Sequence, residues 1–217
     1  MAKQRTFLGI KVITTAPRPN WRARLGMFLL VGAVLGFVLS AGSNVLMAAF
    51  GLYFNTSDSL PYGLYRAHYR SDVQVGFFAL EQAGAVQPLL LARGALVLVC
   101  LPESVAQLAR ARNYVNAGKC HGNTAPVGKH VVALAGDLVL VDAAGVEVNG
   151  HLLPHSVPLA RDATGAQMPE AGLVEAYVLR AGEYLVLNTL DSSFDSRYFG
   201  VVHDADMVAT LEPIFTF

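Results

Sequence analysis

At 217 residues, with 16 Lys+Arg against 16 Asp+Glu, the chain has room for one domain of roughly 160 residues and a separate apolar segment, and needs no second domain. The zero net charge conceals a split. Lys3, Arg5, Lys11, Arg18, Arg22 and Arg24 all precede residue 25 and no acidic residue precedes Asp58, so ten basic residues remain against 16 acidic ones, about −6. A mildly acidic domain is a poor nucleic-acid binder, and no nucleic-acid partner is expected.

Residues 1–24, with Pro17 and Pro19 and little periodicity, read as a basic tail. Residues 25–54 carry no charge, long enough to cross the ~30 Å hydrocarbon layer as a retained anchor. A cleaved signal peptide is the rival reading, but its apolar region usually runs only about 7–15 residues. Basic residues before the segment and none just after it place the N-terminus in the cytoplasm and residues 55–217 outside.

The stretch Asn55-Thr56-Ser57-Asp58-Ser59-Leu60-Pro61 then stops the helix, because its small polar side chains compete for backbone hydrogen bonds and Pro61 lacks a donor. Taken alone, it is a turn and a linker. Beyond it, 63–70, 73–80 and 95–101 read as strands, and 103–112 as a short helix that follows Pro102 and carries Glu103 early and Arg110 late. Residues 113–127 form a surface excursion, 129–134 a strand, and 138–141 with 146–148 a hairpin. Residues 154–172 are a long loop, and 173–179, 183–188 and 207–212 supply the last strands. The expected class is mainly β, with one short helix, behind a single N-terminal transmembrane helix. Cys100 and Cys120 are expected to pair, since the domain lies outside; two free buried thiols are the alternative.

Beyond residue 54 there are only two lysines, and they differ in surroundings. Lys119 sits in a polar loop, whereas Lys129 opens an apolar strand beside Val127, Val131 and Val132, where burial would lower its pKa and make it a usable base, although a lysine at a strand end, taken alone, more often snorkels at the surface. A neutral amine needs a hydroxyl to activate. Ser59, on a tight turn near a proline, is the candidate nucleophile, and Ser57 a candidate donor to an oxyanion alongside the Ser59 backbone N–H. Asp195 and Arg197, two apart, can brace a loop, although Asp191 to Gly200 without context reads as a solvated turn. His68, His121, His130, His151, His155 and His203 show no metal-ligand spacing, so neither metal nor other cofactor is expected. A Ser-His-Asp triad stays open on residue types, with no histidine singled out.

Three clusters in chain order resemble the type I signal peptidases, the S26 serine peptidases, and among them the conjugal-transfer, TraF-like branch. Ser57-Asp58-Ser59-Leu60-Pro61 is similar to the nucleophile box, with Leu60 where methionine is common. Lys129-His130-Val131-Val132-Ala133-Leu134-Ala135-Gly136-Asp137 resembles the general-base box, and Asp195-Ser196-Arg197-Tyr198-Phe199-Gly200 the last box, with Phe199 where tryptophan is commoner. Asn55-Thr56, Gly63-Leu64-Tyr65-Arg66, Cys100-Leu101-Pro102 and the Cys120 region resemble the conjugal branch. Two features depart from the housekeeping enzymes: Arg93-Gly94-Ala95 lacks an aspartate after the glycine, and Asn188 to Ser192 replaces Gly-Asp-Asn-Arg.

The resemblance implies Ser59 as nucleophile, Lys129 as general base, Ser57 as oxyanion donor, Ser193 as the hydroxyl that orients the lysine, and Asp195 with Arg197 as a structural ion pair. It further implies a single-pass enzyme of a bacterial inner membrane with a periplasmic catalytic domain. Its expected substrate is a membrane-bound pilin precursor, cut after a small residue and released by hydrolysis or cyclised by transpeptidation. The lipid bilayer and other conjugation or secretion components are expected partners. General processing of secretory preproteins and an inactive anchored assembly factor are the alternatives.

Overall fold

Short runs of β-branched and aromatic residues separated by glycine-bearing turns give the described residues more strand than helix. The computed structural model describes residues 3–7, 10–14, 21–70, 73–75, 80–82, 91–169 and 175–217. They fall into two compact units, 1–46 and 47–217.

In the first unit, β1 (Lys3–Phe7) and β2 (Ile10–Thr14) pair antiparallel, so the basic tail, which shows little periodicity in sequence, contains a pair of strands. Alternation in Ile10–Thr14 is too short to register as a period, and pairing supplies what propensity does not. The helix α1 (Trp21–Ala49) follows. Its large apolar side chains from Leu25 to Leu35 are exposed all round, with no polar stripe among Met27, Phe28, Leu29, Leu30 and Val31. Among the residues described in full, no helix is long and apolar enough to cross a membrane.

The helix stops before the apolar run does. Gly51 takes φ +61°, its carbonyl accepts from Ala67 N at 2.6 Å, and Leu52–Asn55 form β3, not the end of the helix. The second unit continues with β4 (Gly63–Tyr69), β5 (Val73–Val75), β6 (Leu80–Gln82), β7 (Leu96–Val99), α2 (Glu103–Ala111), β8 (Ala117–Cys120) and β9 (Val127–Ala133). After these come β10 (Leu138–Asp142), β11 (Gly145–Val148), β12 (His151–Leu152), β13 (Tyr177–Val178), β14 (Glu183–Leu187), α3 (Ser196–Phe199), β15 (Val202–His203) and β16 (Met207–Thr216).

A seven-stranded antiparallel sheet has the order β15-β14-β9-β7-β16-β4-β3, and a four-stranded sheet the order β12-β11-β10-β13. The strand expected over 173–179 is reduced to Tyr177–Val178, with residues 173 and 174 outside those described, as are 76–79 of the expected 73–80 strand. The single expected short helix has a companion, α3, inside what reads as a loop: Asp195 caps it, accepting from Arg197 N. One core packs Val97, Val99, Val131, Val186 and Phe194 with Ala106 and Ala109 of α2. Cys100 and Cys120 are joined by a disulfide, Cα–Cα 5.4 Å, which pins the end of β7 to that of β8. Closing this loop stabilises the fold by ~3 kcal/mol in the chain-entropy picture.

Candidate active site

The stretch that reads as a linker is the loop of a hairpin, since β3 ends at Asn55 and its partner β4 begins at Gly63. Asn55, 1% exposed, organises it: Nδ2 donates to Ser57 O at 2.8 Å and Leu60 O at 2.9 Å, while Oδ1 accepts from Ser57 Oγ at 2.7 Å and Ser57 N at 3.3 Å. Tyr65 Oη adds a bond to Pro61 O at 2.7 Å. Leu60 is buried directly over Gly128, where a Cβ would lie 2.4 Å from Leu60 Cδ1. A side chain at 128 would push the Leu60 side chain from its place, so glycine there lets the serine-bearing loop pack on the strand that carries Lys129 as it does. Asn55→Ala strands buried carbonyls without donors, and thermal denaturation should show a loss of about 2–3 kcal/mol, roughly 5–10 °C in Tm.

Lys129 lies on β9 opposite Val97 of β7 and is 2% exposed. Its Nζ donates to Ser193 Oγ at 2.6 Å, and Ser193 is itself 3% exposed. Burial in this apolar setting pushes the lysine pKa down to about 8; Asp195 opposes the fall and Arg197 adds to it. Lys119, by contrast, is exposed on β8.

The Asp195 to Arg197 cluster is not a solvated turn. Both side chains are fully buried and paired through two bonds, Nε to Oδ1 at 2.8 Å and Nη2 to Oδ2 at 2.7 Å. The guanidinium also donates to the carbonyls of His155, Asp191 and Leu190 at 2.8–3.0 Å and to Asn188 O at 3.4 Å, so its donors are satisfied by backbone from two loops. Burial disfavours its charge, and the hydrogen bonds it donates to Asp195, with that carboxylate's charge, outweigh this and raise its pKa. Asn188 ties this cluster to the lysine strand: its N donates to Asp195 Oδ2 at 3.2 Å and its Nδ2 to Gly128 O at 3.0 Å. Its Oδ1 is buried without a partner among the described residues.

Ser59 faces two cavities. One, of about 330 Å³, is shared with Ser57, Val127 and Gly128; the other, of about 290 Å³, is shared with Ser193 and Phe194. The structure therefore brings Ser57, Ser59, Lys129, Ser193, Asp195 and Arg197 to one end of β9 and β14. Asn55, Asn188 and Tyr114, which borders both cavities, belong to the same region; the sequence assigns no role to any of them, and Asn55 stands out only with Thr56 in the resemblance to the conjugal branch. A larger cavity of about 450 Å³ beside His130 and His151 contains none of the predicted site residues.

The site thus holds a buried lysine bonded to one serine, Ser193, and a second serine, Ser59, on an adjoining hairpin that lines the same cavity as Ser193. The chain belongs to the signal peptidase, peptidase S26 family, whose model matches residues 29–216. It is 33% identical over 195 residues to the plasmid transfer protein TraF of Escherichia coli, covering 89% of this chain and 97% of that protein. With the conjugal transfer protein TraF of Agrobacterium fabrum it shares 34% identity over 187 residues, 85% of this chain and 93% of the relative. Among solved structures, a signal peptidase I from Enterococcus faecalis aligns at 17% identity with a TM-score of 0.31, over 58% of this chain and all of that one.

Proposed function

We propose that this chain is a membrane-anchored serine endopeptidase that matures a conjugative pilin precursor at the periplasmic face of a bacterial inner membrane. The observation that carries this reading is the Lys129 amine, buried, held near a neutral pKa and bonded to Ser193, which lines the same cavity as Ser59. Ser59 is the nucleophile. Neutral Lys129 takes its proton, with the lysine N–H to Ser193 orienting the lone pair, and Ser59 Oγ adds to the peptide carbonyl. The oxyanion is stabilised by Ser59 N–H and by the Ser57 hydroxyl, which has to turn away from Asn55 to donate. The C–N bond breaks as the lysine ammonium protonates the departing amine. Water or a peptide amine then releases the acyl group, the first giving hydrolysis and the second transpeptidation.

The apolar helix Trp21–Ala49 and the basic residues before it support an anchor with the N-terminus in the cytoplasm. Holding enzyme and substrate in one bilayer raises their effective concentration. The conjugal-transfer relatives, matched over most of their length, favour a pilin over secretory preproteins. Ser59→Ala should lower cleavage of a pilin precursor in membranes by about 10³-fold or more and abolish labelling by an acylating inhibitor. Full activity or labelling in that variant ends the peptidase reading. Mass spectrometry of the product separates hydrolysis from cyclisation, which differ by one water.

A further inference from the structure

The cleft at Ser59 is chemically two-sided. Only Ser59 and Tyr114 line both of its cavities among the described residues. Tyr114 is fixed as the partition: its Oη donates to Asp162 Oδ2 at 2.6 Å, and its ring packs on Phe194 with centroids 5.1 Å apart. The cavity on the Ser57 side has no charged side chain among its described lining. The cavity on the Ser193 side has two carboxylates, Asp58 and Asp162, and no Lys or Arg among the described residues that line it.

Neither carboxylate has a cation among its direct hydrogen-bond partners in the described residues, although the Arg112 guanidinium donates to Tyr114 Oη at 3.3 Å and so stands one hydroxyl away from Asp162. Asp58 Oδ1 accepts from Tyr62 Oη, and Asp162 accepts from Tyr114 Oη, from Thr164 Oγ1 and N, and from Ala166 N, all neutral donors. The hydrogen bonds from Thr164 and Tyr114 hold the Asp162 carboxyl well below its usual range, so it is anionic at any working pH.

Reaction geometry assigns the two sides. The oxyanion donor Ser57 belongs to the uncharged cavity, which leaves that side for the acyl part of the substrate. The departing amine has to collect its proton from Lys129, whose hydrogen-bond partner Ser193 lines the acidic cavity. We infer that the acidic cavity is the subsite for the peptide beyond the scissile bond, and that Asp58 and Asp162 make it selective for a positively charged nitrogen at the start of that peptide. Two groups supply such a nitrogen: the α-ammonium of the leaving or accepting peptide, and a basic side chain on its first residue. An amine acceptor enters by the same cavity as an ammonium, gives one proton to solvent, attacks the acyl-enzyme as the neutral amine, and passes its second proton through neutral Lys129 to Ser59 Oγ as the ester C–O bond breaks.

The inference rests on the peptidase reading, and its test does not need turnover. Full-length Ser59→Ala protein in detergent is titrated with short leaving-side peptides that differ only at their start: a free N-terminus with Gln first, and acetylated peptides with Gln, Lys or Glu first. At least one cationic form is expected to bind about tenfold more tightly than acetyl-Gln, and acetyl-Glu more weakly. Asp162→Asn keeps an acceptor for Tyr114 Oη while removing the charge, and should shrink the cationic advantage to about threefold or less. Gain by the free N-terminus alone identifies the α-ammonium, and gain by Lys alone a side-chain subsite. Equal binding of the Lys and Glu peptides together with no gain from a free N-terminus, or an advantage unchanged by Asp162→Asn, overturns the assignment. A failure of the peptidase reading shows separately, as inhibitor labelling or cleavage that survives Ser59→Ala.

Discussion

Lys129→Met is expected to give a protein that cleaves nothing yet melts at a higher temperature than the parent. The native amine is 2% exposed, and burial pushes its pKa from 10.5 down to about 8. At pH 7 only about a tenth of it is neutral, so cleavage by the parent should climb with pH through about 8 and level off above. In the proposed mechanism the variant lacks its base and should lose that limb along with about 10³-fold or more of the rate. The stability sign follows from the same shift. Between about pH 8 and 10.5 the unfolded chain holds a proton that the folded protein has released, so stability of the parent rises with pH across this window. Below pH 8 the full cost of burying the ammonium remains, about 3 kcal/mol. Methionine removes that cost and leaves Ser193 Oγ without its donor, worth about 1 kcal/mol. The net gain at pH 7 is about 2 kcal/mol, or roughly 4–8 °C in Tm. A pH–rate profile flat from pH 6 to 9 in the parent, or a lower Tm in the variant, contradicts this account.

The same physical divide explains what could be read from the chain and what could not. The hairpin of β10 and β11 and the helix α2 were legible because their cues are local: alternation around Asp142-Ala143-Ala144-Gly145 in one, Pro102 and charges that match the dipole in the other. Lys129 could be told from Lys119 as the better candidate for a buried amine because valines flank it on its own strand, but a strand-end lysine alone reads as a snorkelling surface residue, and only the packing around it shows the burial. The strand β3 was hidden, since Leu52, Tyr53 and Phe54 are as apolar as the helix before them and only the pairing with β4 tells them apart. Asn55 and Asn188 were hidden for another reason. Their value lies in carbonyls and amides of Leu60, Gly128 and Asp195, brought to them by the fold. Tyr114 divides the cleft only because the 154–169 loop carries Asp162 to it.

Arg197→Leu is the substitution expected to cost most in stability. The guanidinium is fully buried and satisfied by Asp195 and by carbonyls of His155, Asn188, Leu190 and Asp191. Removing it leaves the Asp195 carboxylate buried without its cation, a loss of about 3–5 kcal/mol, and strips donors from carbonyls at about 1 kcal/mol each. Against a total stability of about 5–15 kcal/mol, most of the fold's margin disappears, and the variant should fail to accumulate or melt below growth temperature. Lysine is not a substitute, because a single ammonium cannot make the two-pronged bond to Asp195 and still reach two loops. Removing both charges, as Asp195→Leu with Arg197→Leu, should recover about 2 kcal/mol or more relative to Arg197→Leu alone, since no unpaired charge is then buried. Arg197 also lowers the Lys129 pKa while Asp195 raises it. In Arg197→Gln assayed at low temperature, where some folded protein persists, loss of that nearby positive charge moves the rising limb of the pH–rate profile to higher pH. A limb that stays near 8 while stability collapses would confine Arg197 to bracing the loops, whereas a shifted limb shows that the same guanidinium helps keep the Lys129 amine neutral.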